Sequence, residues 1–299
     1  MPALPYELVP CLLLGLAAGR RWPALPALLA PPLIHGGVPL GLAGLLLRVP
    51  IHADLLLTAL VALGASGGGL LLVLALPPLR RCLPAGTLAL GAVVGNTAYW
   101  GLPVALALLP APALPHAITY DLVGTLVTWS VGPLVLQEGR PRPLALARLL
   151  LTSPAARGLL LALVLRATPW RHPLAELLWW PARGLMLLAL ALVGMRLAGI
   201  LAGAGPGRQH QGHLVTALLA KLVLLPAVVG LACRVLPLAP AAQGALVLQA
   251  AAPTAVSVVL LAEAAGRQVP LAASLVLWST AMALVSVPLW RGVLPVLLG

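Results

Sequence analysis

Lys221 is the side chain whose position in this sequence is hardest to explain without a function. It is the one lysine among 18 basic residues, and it lies midway along the apolar run 211–234. A charge near the centre of a bilayer is costly, so an intramembrane lysine is a functional hypothesis by default. It could draw a carboxylate substrate inward or take the place of a coupling cation. The structural alternative is a snorkelling lysine whose stem carries the ammonium group to the interface.

Two carboxylates also lie within or at the end of apolar runs. Asp121 follows HAITY in the run 114–136, where a carboxylate can bind a proton or Na⁺ for symport. Its structural alternative is an acid in the first turns of a helix, which the helix dipole favours. Glu263 ends another run, and Arg267 follows at the i+4 spacing of a surface ion pair. A gating or ion-coupling role is the second interpretation of Glu263.

The sequence lacks the patterns of catalytic and metal sites. Enzyme chemistry needs paired acids, a zinc motif, or a nucleophile with its base. The chain has six Asp and Glu in total, no HExxH motif and no histidine near a serine-containing elbow. Its three cysteines have neither a metal-ligand nor a disulfide spacing. We therefore expect no catalytic residues, no bound metal and no cofactor.

The composition places these side chains in a lipid bilayer. Hydrophobic residues make up 61% of the 299 residues and charged residues 8%, with a mean hydropathy of +1.07; soluble domains carry roughly 25% charged residues. The net charge of +12 does not indicate a nucleic-acid partner, because the arginines stand singly or in pairs between apolar runs. There is also no Phe to stack on bases.

Continuous apolar runs broken by Arg, Pro and Gly predict ten membrane helices. They cover residues 4–19, 25–47, 53–76, 85–109, 114–136, 155–168, 173–202, 211–234, 240–262 and 270–297. The longest polar connection, 137–153, separates residues 1–136 from residues 154–299 as two halves of five helices. Odd-numbered halves insert in opposite orientations, as in the inverted repeats of secondary transporters. The expected fold is an all-α polytopic membrane protein with two inverted five-helix repeats and a cytoplasmic hinge loop between them.

The arginines predict which side of the membrane each connection faces. With the amino terminus outside, the inner connections hold twice as many arginines as the outer ones. The inner group is Arg20, Arg21, Arg80, Arg81, Arg140, Arg142, Arg148, Arg196, Arg208 and Arg267, and the outer group is Arg48, Arg166, Arg171, Arg234 and Arg291. The positive-inside rule then predicts both termini outside. The pair Arg166 and Arg171 is its weak point. A bacterial cytoplasmic membrane is the expected location.

Two of the predicted helices carry breakers near their centres. The fourth contains GNTAYWGLP, residues 95–103, and the ninth contains LQAAAPTAVSVVLLAE, residues 248–263. Proline frees carbonyls that lipid cannot satisfy, so each break needs protein or a water-filled cavity around it. Matching breaks direct the positive ends of half-helices at a common point, where an anion is the natural guest. The alternative is two kinks at which Asn96, Thr97 and Thr254 hydrogen-bond between helices.

The sequence resembles the auxin efflux carrier family, which includes malate-permease-like bacterial carriers and plant auxin exporters. The resemblance rests on GNTAYWGLPVAL, YDLVGTLVTW, LQAAAPTAVSVVLLAE and ASLVLWSTAMALVSVPLW in the fourth, fifth, ninth and tenth predicted helices. It implies fourth and ninth helices that break and cross at their prolines. It also implies a small organic anion that binds beside the crossing during an elevator-like cycle.

The resemblance also implies a set of site residues. The crossing would involve Gly101, Pro103 and Pro253, the substrate would face Asn96, Thr97, Gln249 and Thr254, and to these we add Lys221 as a substrate contact and Asp121 and Glu263 as ion-coupling groups. The predicted function is a secondary transporter of a small organic anion, such as a mono- or dicarboxylate or an auxin-like acid. The alternatives are an anion channel and, less favoured, an intramembrane enzyme. Proton coupling, sodium coupling and a homodimer are all left open.

Overall fold

The computed structural model describes residues 4–48, 53–137, 148, 151–202 and 211–298, and they are mostly helical. In chain order the helices are α1 (Leu4–Arg21), α2 (Leu25–Pro32), α3 (Val38–Arg48), α4 (Asp54–Leu63), α5 (Gly69–Ala75), α6 (Pro77–Cys82), α7 (Gly86–Gly91), α8 (Leu102–Leu108), α9 (Leu114–Gln137), α10 (Pro154–Arg166), α11 (Arg171–Ala202), α12 (Gln211–Leu219), α13 (Leu225–Val235), α14 (Pro240–Ala250), α15 (Ser257–Ala265) and α16 (Val269–Leu298). Single π turns at Leu33–Gly37, Gly64–Gly68, Thr97–Gly101 and Ala220–Leu224 lead into α3, α5, α8 and α13.

Six stretches of the described residues are long and apolar enough to cross a membrane. They are Leu25–Arg48, Asp54–Ala75, Ala111–Leu136, Arg171–Gly199, Gln211–Val235 and Val269–Pro295. Their outward faces carry exposed leucines such as Leu56, Leu60 and Leu63 on α4, which suits contact with lipid. The protein is therefore a polytopic helical membrane protein. The other four predicted runs contain the 18-residue α1, the 13-residue α10 and two interrupted helices.

Several prolines begin helices instead of breaking them. Pro77, Pro154 and Pro240 each lie in the first turn of a helix, where the missing N–H has no partner in any case. At the start of α10 the Ser153 hydroxyl also accepts a hydrogen bond of 3.1 Å from the Ala156 N–H. This cap satisfies one of the free donors of the first turn.

The helices form two bundles. The first bundle comprises residues 4–48 and 154–202, in which α1 packs along α11, and α3 packs against α10 and α11. The second bundle comprises residues 54–137 and 211–298, in which α9 lies at the centre and contacts α4, α14 and α15. Packing is most extensive within each bundle, so the interface between them is where the molecule leaves room for a cavity.

The tightest helix pair in the first bundle depends on glycine. Gly15 and Gly19 on α1 face the backbone of α11 at Ala191 and Met195, and Gly194 on α11 faces the backbone of α1 at Leu12. A Cβ atom at any of the three would overlap the opposite main chain. Small residues let two membrane helices approach to backbone contact, and dispersion then stabilises the pair.

In the second bundle two helices break and their breaks pair with each other. The segment between α7 and the π turn at Thr97 meets the segment between α14 and α15 in an isolated antiparallel bridge of Gly95 with Thr254. The Asn96 N–H donates to the Pro253 carbonyl at 2.6 Å, and the Ala255 N–H donates to the Val94 carbonyl at 3.2 Å. Each break thus satisfies backbone groups that lipid could not.

The structure places the first break earlier than the sequence pattern suggests. The residue paired at the crossing is Gly95, whereas Pro103 lies farther along the chain, directly after the π turn and inside the continuous helix Thr97–Leu108. Pro253 does lie at the crossing, through its carbonyl. Arg196, which the sequence assigns to an inner connection, lies within α11. The predicted hinge loop, 137–153, falls largely outside the described residues.

Candidate functional site

A cavity of about 120 Å³ lies beside the crossing, between the two bundles. Its walls are mostly apolar, with Leu33 and Leu42 from the first bundle and Trp129 from the second. Its polar lining residues are Asn96, Thr97, Tyr99, Asp121, Thr125, Arg196 and Ser257. An apolar pocket with a few converging polar groups is the usual form of a small-molecule site. We refer to it as the central cavity.

Asn96, Thr97 and Asp121 form the polar wall on the second bundle. The Thr97 hydroxyl donates to Asp121 Oδ1 at 2.6 Å, and the Thr125 hydroxyl lies 3.5 Å from the same oxygen. Asn96 is nearly fully buried, and its Nδ2 atom has no hydrogen-bond partner among the described residues. A buried amide donor without a partner is costly, so this group is available to an acceptor that enters the cavity.

Arg196 supplies the positive charge of the cavity. It projects from α11 of the first bundle, it is half-buried, and the Glu263 carboxylate attracts it electrostatically. A guanidinium group binds a carboxylate through two parallel hydrogen bonds. Sequence reasoning missed this residue because it stands close to the end of its apolar run, where an arginine usually marks the interface. Its position opposite Asn96 and Asp121 is a product of the tertiary fold.

The half-helices after the two breaks begin at the cavity. The π turn that leads into α8 starts at Thr97, α15 starts at Ser257, and both residues line the cavity. The first turn of a helix has N–H groups without intrahelical partners and carries the positive end of the helix dipole. These two helix starts and Arg196 all favour an anion.

Gln249 and Thr254 lie at the crossing but do not line the central cavity. The Thr254 hydroxyl donates to the Gly91 carbonyl at 2.9 Å, and the Thr254 N–H donates to Ser279 Oγ at 3.0 Å. Gln249 Nε2 donates to the Ala117 carbonyl at 3.0 Å, and Gln249 Oε1 packs so closely on Gly101 that a Cβ there would overlap it. Both side chains therefore hold the broken helices in place.

Lys221 lies behind the crossing, with a fully buried side chain. It projects from the π turn Ala220–Leu224, and its Nζ donates to the Ala250 carbonyl at 2.5 Å, at the last residue of α14. A cation at a helix carboxyl end interacts favourably with the dipole. The ammonium group reaches a carbonyl inside the protein, which excludes the snorkelling alternative.

Three other charged or titratable side chains also have partners in the structure. Glu176 accepts a salt bridge of 2.7 Å from Arg48, and His116 lies 3.6 Å from the Asp54 carboxylate. Arg183 lies over the Trp180 ring, 5.8 Å from its centroid. These partners come from elsewhere in the fold or from a neighbouring turn. Glu263 is exposed near the end of α15.

Comparison with known families decides the class of protein. A family model described as membrane transport protein matches residues 142–291, half of the chain. The chain belongs to this family. The match confirms the resemblance to the auxin efflux carrier family, and it covers α10 to α15 and most of α16. No curated protein matches the chain.

Membership of the membrane transport protein family gives the central cavity its context. The matched region includes Arg196, Lys221 and the second break, and the first break lies outside it. A transport protein has to expose a binding site to one side of the membrane at a time, and the interface between two bundles is a suitable place for such a site. The protein is accordingly a membrane transporter whose candidate site lies at that interface.

Proposed function

We propose that the protein is a secondary transporter of a small organic anion and that the central cavity is its binding site. The observation that carries this proposal is the convergence of Arg196, the free Asn96 amide and two helix starts on one cavity. All four favour a negatively charged ligand, and the apolar walls suit its carbon skeleton. A carboxylate is the substrate class with both properties.

The position of the cavity supports an elevator-like cycle as the proposed mechanism. The crossing, Asp121 and both helix starts belong to the second bundle, whereas Arg196 belongs to the first. Movement of the second bundle along the first would carry the bound anion away from one membrane face and toward the other. The glycine-packed pair of α1 and α11 makes the first bundle the better candidate for the fixed part.

The proposed topology has ten membrane segments in two inverted repeats, residues 1–136 and 154–299, with the hinge 137–153 between them. Two features of the fold support it. The breaks pair as Gly95 with Thr254, one from each half, and π turns interrupt the third and eighth segments near their middles, at Gly64–Gly68 and Ala220–Leu224. A bacterial cytoplasmic membrane with both termini outside completes the proposal.

Lys221, Gln249 and Thr254 act through the crossing in this proposal, while Asn96 and Thr97 touch the substrate. Lys221 places a fixed positive charge on the Ala250 carbonyl, where a bound inorganic cation would otherwise be a suitable partner. Because the Lys221 ammonium occupies the position that Na⁺ would take, coupling to protons is favoured over coupling to Na⁺. Asp121 is the carboxyl group in the cavity that could bind the coupled proton. Glu263 acts only through its attraction to Arg196.

Flux in proteoliposomes tests the proposed function. The probe is a radiolabelled carboxylate, chosen as the mono- or dicarboxylate that most raises the thermal stability of the detergent-solubilised protein. We expect saturable uptake that unlabelled substrate on the opposite side accelerates. Arg196→Gln should lower uptake about tenfold or more, because it removes a charge-assisted contact worth about 1.5–3 kcal/mol.

Arg183→Gln is the matched control, since it removes the same charge from the same helix outside the central cavity. It should transport like the wild type. Equal uptake by Arg196→Gln and the wild type would show that the anion does not bind in the central cavity. A conductance that does not saturate with substrate concentration would contradict the transporter proposal and support an anion channel.

A further inference from the structure

Three arginines converge at the ends of α3, α10 and α11 in the first bundle, away from the central cavity. Arg48 ends α3, Arg166 ends α10 and Arg171 begins α11. Arg166 and Arg171 are the pair that departs from the positive-inside pattern, and they lie near enough to repel each other. The proposed transport function gives neither of them a role.

An open pocket of about 490 Å³ lies at this cluster, lined by Leu47, Arg48, Arg171, His172, Pro173, Ala175 and Glu176. We call it the arginine pocket. The amino end of the 32-residue α11 opens onto it. That helix end adds a positive partial charge to the arginines. The described residues of the pocket offer one carboxylate, Glu176, against this positive charge.

Arg48 and Arg166 bond to protein groups, and Arg171 differs from them at one of its nitrogens. Arg48 bonds to Glu176 Oε2 at 2.7 Å and to the Ala175 carbonyl at 3.1 Å, and it lies over the Trp179 ring. Arg166 donates to the Leu46 carbonyl at 2.8 Å. Arg171 Nε is buried and has no hydrogen-bond partner among the described residues. A buried N–H donor requires an acceptor, and because Arg171 as a whole is only partly buried, a ligand from outside can reach its side chain.

The surroundings of the pocket indicate that its acceptor comes from the membrane. Trp170, Leu177 and Trp180 are each about two-thirds exposed, at 67%, 67% and 69%, and they flank the pocket on and beside α11. Trp170 precedes the first residue of α11, and an exposed tryptophan at a helix end is typical of the level of the lipid headgroups, whereas Leu177 and Trp180 lie farther along α11 and present an apolar surface to the acyl chains. An arginine pocket at that level faces phosphate groups, which arginine binds in a bidentate manner.

We propose that the arginine pocket binds the phosphodiester of an anionic phospholipid headgroup, with Arg171 as its principal contact. Phosphatidylglycerol fits because its headgroup adds no positive charge. The positively charged choline of phosphatidylcholine would be repelled by Arg48 and Arg171, which line the pocket. The bound lipid would neutralise the like charges of Arg166 and Arg171 and fix the ends of α10 and α11.

Native mass spectrometry of the detergent-solubilised full chain tests this site. The protein is titrated with phosphatidylglycerol and, separately, with phosphatidylcholine of the same acyl chains. We expect tighter binding of phosphatidylglycerol, and a loss of about fivefold or more in its affinity for Arg171→Gln, which removes the guanidinium group. Arg234→Gln is the matched control, because Arg234 is an exposed arginine in the last turn of another helix.

Glu176→Gln separates a binding role from a structural one. It removes the carboxylate that holds Arg48, so a lipid phosphate should bind more tightly to it than to the wild type, whereas a merely structural defect would weaken binding. Equal affinity of wild type and Arg171→Gln for phosphatidylglycerol would overturn the proposal, as would equal affinity for the two lipids. Inorganic phosphate is titrated as a separate arm. If phosphate raises the thermal stability of the protein and phosphatidylglycerol does not, the ligand of the arginine pocket is a free anion and not a lipid.

Discussion

Asp121 is the residue whose surroundings best combine burial with access to the substrate. It is 4% exposed, it lines the central cavity, and it accepts a hydrogen bond from Thr97, whose neighbour Asn96 faces the same cavity. A carboxyl group in this position can gain or lose a proton as the cavity fills or changes sides. Substrate binding and proton binding would then be linked through two adjacent residues of one broken helix.

Asp121→Asn should therefore uncouple transport from protons. The amide oxygen can still accept the Thr97 hydroxyl, so the local geometry is kept while the exchangeable proton is lost. We expect counterflow of labelled substrate to continue and acidification of an unbuffered liposome lumen to fall to background. Asp54→Asn is the control, because it makes the same change at a half-exposed carboxylate outside the cavity. Continued acidification by the Asp121 variant would place coupling elsewhere.

The sequence could identify part of the candidate site because a polar residue inside an apolar run is conspicuous. Asn96, Thr97 and Asp121 stand out in this way, and the structure brings them to one cavity. The same pattern could not separate Gln249 from them, because polarity alone does not distinguish a side chain that faces a cavity from one that bonds to a backbone carbonyl. The sequence could not identify Arg196 as a site residue, because an arginine near the end of an apolar run usually lies at the membrane interface.

At the scale of the helices, the position of the breaks depends on pairing between distant segments. Gly95 pairs with Thr254 through the backbone, and a Cβ at Gly95 would lie only 3.3 Å from the Lys221 Nζ, so the small residue leaves room for the ammonium group at the crossing. The sequence pattern indicated Pro103 as the breaker, but Pro103 lies inside the helix Thr97–Leu108, after a π turn, and local π geometry is one way in which a membrane helix accommodates proline. The sequence therefore predicted that the fourth helix breaks, while the exact place depends on its partner in the other half of the chain.

Helix packing in the first bundle should be sensitive to one methyl group. Gly15→Ala places a Cβ against the Ala191 backbone of α11, and a backbone atom cannot move aside as a side chain can. The two helices must separate, at a cost of about 1–3 kcal/mol. We expect a lower melting temperature in detergent and a proportional loss of folded protein.

Gly184→Ala gives the matched comparison on α11. No atom lies within 4 Å of a Cβ built at this position. The substitution should leave stability unchanged or raise it by about 0.5–1 kcal/mol, because alanine has the higher helix propensity. Equal melting temperatures for the Gly15 and Gly184 variants would show that α1 and α11 are not held by backbone contact.

At the scale of the whole molecule, the proposed inverted repeat and the arginine distribution have to agree. Arg20 and Arg21 end α1, and Arg80 and Arg81 lie in α6, so the sequence assigned these four to connections on one membrane face. Arg48, Arg166 and Arg171 gather at the ends of α3, α10 and α11, on the face assigned to the outside. If the arginine pocket binds lipid phosphate, its arginines are explained by headgroup binding and should not be counted when the positive-inside rule is used to assign the topology. Without that cluster, the remaining arginines follow the positive-inside rule more closely.

The native cysteines allow the orientation to be measured directly. Cys82 is exposed beside Arg81, whereas Cys11 is half-buried and Cys233 is buried. With the arginine-rich face inside, a membrane-impermeant maleimide should label Cys82 only after intact cells are permeabilised. A cysteine in place of the exposed Trp170, in a Cys82→Ser background, should react from outside. The reverse labelling pattern would invert the topology and would place the arginine pocket in the inner leaflet, where the same lipid test still applies.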